Sequence, residues 1–285
     1  MALPDRSTLL KRFELSEYPQ PDLLKLKYPV FLCHGYGAIG SVIKSGPLHD
    51  PCMEIRGHGV VAIAPNTVPY ARIETRAENW VRLIHKFCEE HDYEKVNVIA
   101  HSMGGLDMRC ALTKMDVSDR VESLTTVATP HHGSSLADLV LKVPELLTEK
   151  LSLVFDWFGN NMYPKTKSDA LGSLEQLTCS YLKEIFNPEH PDVDDVAYYS
   201  YSAAVGKGTE YSINPVLRFQ NNHIFEEEGE NDAFVSVDSA KWGNHLETVR
   251  LSHLSQMHLQ MNKESKKIYN RFWQDVLIRL ADNGH

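Results

Sequence analysis

Nowhere in the 285 residues is there a run of about 18 apolar side chains, so the sequence predicts no helix long enough to cross a bilayer. Positive charge is in deficit. Against 38 Asp and Glu stand 29 Lys and Arg, a formal charge of −9, which argues against nucleic acid as a partner and against capture by an anionic membrane surface. Met1 to Tyr18 mixes Asp5, Glu14 and Glu17 with basic residues and has no apolar core, so neither a secretory signal nor an acid-poor transit peptide is expected there. The cytoplasm is the default expectation, with mitochondria or export without a visible leader as alternatives. Cysteine is scarce. The five cysteines form no CxxC pair, which disfavours a thiolate zinc site. Cys33 falls in a predicted strand, and Cys88 and Cys110 on apolar helix faces, as small buried hydrophobes in a reducing compartment. A single Cys52–Cys179 bridge stays open. Repeats and low-complexity linkers are also missing, so residues 1–285 read as one domain with ample chain for a core.

What is present is a rhythm of short apolar runs and longer amphipathic ones. Pro29 to Cys33, Val60 to Ala64, Val96 to Ile99, Val121 to Val127, Val196 to Val205 and Thr248 to Leu251 read as strands. Between them Ala77, Trp80, Ile84 and Phe87/Cys88 recur at helical spacing, a helix follows from about Gly104 to Met115, and Lys263 to Leu280 closes the chain. Strands alternating with helices of this length predict an α/β fold with a mostly parallel central sheet covered on both faces. From Ala137 to about Pro191 the rhythm breaks into a helical insertion. The Glu226 to Glu230 run reads as a solvated loop.

The most telling segment is Ala100-His101-Ser102-Met103-Gly104-Gly105, directly after the Val96–Ile99 run. Strand, sharp turn and helix with small residues two before and two after a serine match the nucleophile-elbow pattern G-x-S-x-G, with Ala100 in the first glycine's place. Small neighbours are needed because the serine sits in a strained turn between strand and helix. A serine needs a base, and the base an orienting carboxylate. In this fold class their order is Ser, acid, His. Asp232, in Asn231-Asp232-Ala233-Phe234, and His253, directly after the Thr248–Leu251 run, meet that order. Glu230 and Asp238 compete with Asp232, and His258 with His253. An oxyanion hole also needs two N–H donors. The amides of Met103, after the serine, and Tyr36, in His34-Gly35-Tyr36-Gly37, are the candidates. His131 and His132 could suggest metal, but adjacent histidines on an extended turn are expected to point apart and serve turn packing.

These segments, with Thr129-Pro130-His131-His132-Gly133-Ser134, Leu136-Ala137-Asp138 and Leu251-Ser252-His253-Leu254, resemble the bacterial true lipases of the Pseudomonas, Burkholderia and Proteus kind and their fungal relatives. The match in order runs from about residue 28 to 262. The resemblance implies the α/β-hydrolase fold and a triacylglycerol lipase that uses Ser102, Asp232 and His253 with the Tyr36 and Met103 amides, on a lipid ester at an oil–water interface. It implies no organic cofactor. Those lipases often hold calcium through an aspartate two residues after the histidine, whereas Ser255 stands there, a weaker ligand for a hard cation, so no calcium dependence is expected. The insertion over 137–191 takes the place of a lid, and its apolar residues between Val140 and Phe158 need a core or an acyl chain to face. A soluble short-chain esterase, or a thioesterase or acyltransferase on the same triad, are the rival enzymes. A scaffold kept for binding is the non-enzymatic rival, and it predicts a damaged triad. Oligomeric state is not legible.

Overall fold

A strand that is apolar at every position must be covered on both faces, and parallel sheets with crossover helices are the arrangement that does this. The computed structural model describes residues 23–37, 46–142, 168–259 and 262–285, and it has that arrangement. Six strands are described: β1 (Val30–Cys33), β2 (Ala62–Ile63), β3 (Val96–His101), β4 (Val121–Val127), β5 (Ala197–Ala203) and β6 (Asn244–Val249). They form one sheet in the order β2-β1-β3-β4-β5-β6, and every described pairing between strands is parallel.

Successive residues feed opposite cores. Phe31, Cys33, Val98 and Ala100 join one cluster with helices α2 (Ile73–His91) and α3 (Gly104–Lys114). Val30, Leu32 and Ile99 join the other, with α1 (His49–Gly57) and α8 (Lys263–Asp282). Helix α2 turns Ala77, Trp80, Ile84 and Phe87 inward and ends on Asp92 in the left-handed conformation (φ 57°). Helix α8 begins at a capping box between Asn262 and Ser265 and buries Phe272, Trp273, Val276, Leu277 and Leu280. Between β4 and β5 lie α4 (Ser135–Leu141), α5 (Ala170–Glu175) and α6, which runs through Cys179–Tyr181, a π turn at Leu182–Phe186 and Asn187–Glu189. Helix α7 (Arg218–Glu228) precedes β6. Because the strands are parallel, the loops leaving β1, β3, β4 and β6 emerge at one edge of the sheet.

Several expectations shift. Strand β6 lies at Asn244–Val249 rather than Thr248–Leu251, because an edge strand with mostly uncovered residues carries little apolar signal. Strand β2 shrinks to two residues; Val61 is 52% exposed. The Glu226–Glu228 part of the acidic run is the last turn of α7, not a loop. All five cysteines are free, so the Cys52–Cys179 bridge is not made. Residues 143–167 of the expected lid (137–191) lie outside the described residues.

Trp273, fully buried between Phe272 and Tyr269, is a sensitive probe of the α8 core. Truncation in Trp273→Ala is expected to lower stability by about 3–5 kcal/mol. Urea unfolding with an unchanged m-value would register it.

Candidate active site

Ser102 leaves β3 with φ 57°, a left-handed conformation that a residue with a side chain adopts at a cost of about 1–3 kcal/mol. Three bonds hold it there. Its N–H donates to Val127 O (2.9 Å), and its carbonyl accepts from Gly105 N (3.1 Å) and Thr129 Oγ1 (2.7 Å). The glycines after it are steric necessities. A Cβ on Gly104 would stand 2.6 Å from Cys33 O, and one on Gly105 2.3 Å from Thr129 Oγ1. Gly35 brings the loop after β1 equally close, since a Cβ there would meet Ser102 Oγ at 2.9 Å and Met103 N at 2.8 Å. The half-buried serine, the Met103 amide and the loop carrying Tyr36 therefore share one small volume. The Tyr36 side chain turns to Ala170 O of α5 (3.4 Å) and to the Tyr70 ring.

Beneath that loop lies an ion pair with no solvent exposure. Arg76 of α2 donates Nε to Asp107 Oδ2 of α3 (2.8 Å) and its other nitrogens to the carbonyls of Val68 and His34. Trp80 Nε1 also donates to Asp107 (3.1 Å). Burial pushes the Asp107 carboxyl up to about 6 against the pull of Arg76. The pair thus ties the post-β1 loop to the helix that starts at the elbow. His34 is held by two opposed bonds. Nε2 accepts from Thr67 N (3.1 Å), and Nδ1–H donates to Gly35 O (2.9 Å), which defines a neutral ring. Burial, then Arg76, pushes its pKa down to about 3.

Asp232 and His253 are joined. His253 Nδ1 lies 2.7 Å from Asp232 Oδ2, and its backbone N–H donates to Asp232 O (3.0 Å). Both side chains are buried. Asp232 Oδ1 accepts from Phe234 N and Val235 N (3.0 and 2.9 Å), and Oδ2 also accepts from Gln256 Nε2 (2.9 Å). Gln256 in turn accepts from His101 Nε2 (3.0 Å), and burial holds the His101 pKa well below the usual range, which keeps the ring neutral. The His101 ring, one residue before Ser102, packs at 4.5 Å from the His253 ring, while Phe234 packs on His253 at 5.0 Å. No direct hydrogen bond joins Ser102 Oγ to His253. The rivals lie elsewhere: Glu230 pairs with Arg250, Asp238 with Lys241, and His258 with Asp50.

Sequence reasoning missed Gln256, Arg76, Asp107 and Glu228. The i+3 spacing of Gln256 after His253 was the available signal for the first. Glu228 clasps two segments, accepting from Ser135 N at the start of α4 and from Ser236 Oγ in the Asp232 loop, both at 2.6 Å. Ser134 Oγ adds a bond to Phe234 O (2.6 Å), and Ser239 Oγ donates to Gly133 O. His131 is buried and His132 exposed, and both rings reach Trp242 (5.3 and 5.9 Å). His131 bonds Thr126 and Arg109 and is buried, with its pKa well down. Behind His253 the hydroxyls of Ser252 and Ser255 bond each other (2.8 Å). That donor set does not fit a hard divalent cation, which draws on about six to eight oxygens with carboxylates among them. Among the described residues no three His, Cys, Asp or Glu side chains converge as a metal site.

A model of the alpha/beta hydrolase fold family matches residues 28–232. The chain belongs to that family. Among alpha/beta hydrolase relatives, the triacylglycerol lipase of Pseudomonas fragi is 24% identical over 266 residues, covering 80% of this chain and 89% of its own. That of Vibrio cholerae is 25% identical over 264 residues, covering 84% and 82%. Triacylglycerol lipase 2 of Saccharomyces cerevisiae is 29% identical over 210 residues, 70% of this chain but 58% of the yeast protein. Solved structures share the fold, a lipase and an esterase among them. A mature Bacillus licheniformis lipase has a TM-score of 0.62 at 21% identity, covering 91% of this chain and 95% of its own. A metagenomic carboxyl esterase has 0.69 at 18% identity, covering 92% and 76%.

Two measurements follow from this geometry. A folded His34 that stays neutral to about pH 3 cannot take the proton its unfolded form takes near 6.5. Stability is therefore lost as pH falls from 6.5 toward 3, at a slope of about 1.4 kcal/mol per pH unit for each such histidine. His101 and His131 add in the same sense. Urea midpoints at descending pH are expected to fall, less steeply in His34→Gln. Separately, Gln256→Leu removes one bond to a charged carboxylate, about 1.5–3 kcal/mol, and is expected to lower kcat about 10- to 100-fold with KM little changed. An unaltered kcat would deny Gln256 its part in holding Asp232.

Proposed function

We propose that the protein hydrolyses carboxylic esters through an acyl-enzyme on Ser102, with fatty-acyl glycerides as its substrates. The observation that carries this reading is the closed Asp232–His253 pair set against the elbow that holds Ser102 in a strained turn. Ser102 Oγ attacks the ester carbonyl and gives its proton to His253 Nε2. Asp232 keeps the other ring proton on Nδ1 and stabilises the imidazolium, which sets the tautomer the step requires. The oxyanion accepts from the Tyr36 and Met103 amides, each such donor contributing about 3–4 kcal/mol to the transition state. As the intermediate collapses, the C–O bond to the alcohol breaks and His253 returns the proton to the leaving oxygen. Water then attacks the acyl-enzyme with His253 as base, releasing the fatty acid and restoring the serine. The bond between Ser102 and His253 forms in the substrate complex, as is common for such pairs.

Neither an organic cofactor nor calcium enters this scheme. The lack of a carboxylate in the Ser252–Ser255 pair supports that reading, and activity is expected to survive EDTA. The glyceride substrate is supported by the lipase relatives and by the apolar sequence between Val140 and Phe158.

Hydrolysis of short and long p-nitrophenyl esters and of a tributyrin emulsion tests the proposal. Ser102→Ala is expected to lower kcat by about 10⁶ and Asp232→Asn by about 10⁴. Turnover of long-chain substrates rising above their solubility limit would support the glyceride assignment. Turnover confined to short soluble esters would make the protein an esterase, and turnover that persists in Ser102→Ala would overturn the mechanism.

A further inference from the structure

Behind the segment that carries His253 lies a cavity of about 430 Å³, within the usual size of small-molecule pockets. None of Ser102, Asp232, His253, Tyr36 or Met103 lines it. Its walls come from the loop around Tyr211–Pro215, the Arg250–Ser255 segment and the first turns of α8. Ser252 and Ser255, only 8% and 5% exposed, both border it. Ser252 Oγ accepts from Ser255 N (3.2 Å), and the two hydroxyls share one bond. Two hydroxyls carry two hydrogens, and only one lies between them. Whichever way that bond runs, one O–H of a buried pair has no acceptor among the described residues.

Arg250, ion-paired with Glu230, supplies N–H donors at the same cavity. One of its N–H groups reaches Glu230 Oε2 (3.1 Å), and the rest of the guanidinium has no other described acceptor. Ile213, Leu251 and Ile268 make part of the lining apolar, and the exposed Glu264 is the single acid among the lining residues. A water could accept the free hydroxyl hydrogen, but it would leave most of the volume and all of the apolar lining without a partner.

We infer that this cavity is a second ligand site, for a carboxylate with an apolar tail. The carboxylate accepts the unpaired hydroxyl hydrogen of the Ser252–Ser255 pair and an Arg250 N–H, and the tail lies on Ile213, Leu251 and Ile268. Surplus donor hydrogens suit an anion and oppose a cation. A fatty carboxylate is also the product of the proposed hydrolysis. That link rests on the proposed function, whereas binding itself requires no turnover. Ser252 and Ser255 bracket His253, so occupancy acts on the segment that presents the base and is expected to change kcat rather than compete with substrate.

The test uses protein whose Ser102 carries a long-chain alkylphosphonate, so that the acyl side is filled. The adduct mass reports on the proposed nucleophile by itself; without an adduct that assignment fails, and the titration is run on the unmodified chain. The protein is titrated with [1-¹³C]dodecanoate while its carboxyl resonance is followed. A single saturable site is expected, about tenfold weaker in both Ser255→Asp and Arg250→Gln, and not displaced by dodecanol. No saturable shift, binding as tight as that of the unsubstituted protein in either variant, displacement by inorganic phosphate at millimolar concentration, or a rise in Tm with Ca²⁺ but not with dodecanoate would each overturn the inference.

Discussion

The site is organised around one backbone angle. At Ser102 the chain passes from strand to helix in a conformation that most side-chain-bearing residues avoid, and its surroundings are arranged to make that turn the best one available. Val127 O and Thr129 Oγ1 pin the turn from the neighbouring strand and its loop. Gly35, Gly104 and Gly105 remove the atoms that would otherwise collide with it. The strain is over-determined by hydrogen bonds and sterics together, so no single contact can relax it. In return the hydroxyl projects from the sheet edge on a short, rigid lever rather than on a mobile loop.

Around that lever the charged groups are few and enclosed. Arg76 and Asp107 neutralise each other without solvent, and their value lies in where they hold backbone rather than in net stability, since buried pairs gain little over apolar packing. Removing either partner would strand the other charge. The buried histidines follow the opposite strategy and remain neutral. His34, His101 and His131 have low pKa values because burial disfavours the charged ring, and Arg76 or Arg109 beside two of them adds to the effect. His253 therefore meets neutral imidazole, not imidazolium, in His101 beside it. In the proposed mechanism, a proton passed to His253 would face no fixed positive neighbour in that ring.

The parts of this architecture that showed in the sequence are those that require particular residue types. Ala100-His101-Ser102-Met103-Gly104-Gly105 was readable because only small residues fit beside the strained serine. Strand β1 was readable as an unbroken apolar run, and β3, β4 and β5 as β-branched, aromatic and apolar stretches despite buried Asn97, Ser123, Thr125, Thr126, Ser200 and Ser202. Edge strand β6 was misplaced because Asn244-His245-Leu246-Glu247 is largely uncovered. Helix α7 was missed because Phe219 is 74% exposed and only Leu217, Asn221 and Ile224 turn inward near its start, which leaves no apolar stripe. Glu228 was read as solvated because its run of acids looks like surface. Its two bonds, to Ser135 and Ser236, join parts of the chain about ninety residues apart and within the following loop, a relation that no local pattern encodes. Asp232 and His253 were legible from order, but Gln256 and Arg76 act through other residues and have no motif.

The clasp made by Glu228, Ser134 and Ser239 has a mechanical meaning. Helix α4 and the loop bearing Asp232 belong to different stretches of chain, yet the bonds from Ser135, Ser134 and Gly133 to Glu228, Phe234 and Ser239 make them one body. Phe234 in turn rests on the His253 ring, and Asp232 grips its Nδ1. The position of the His253 ring is thus tied, through Phe234 and the Asp232 loop, to the seating of α4.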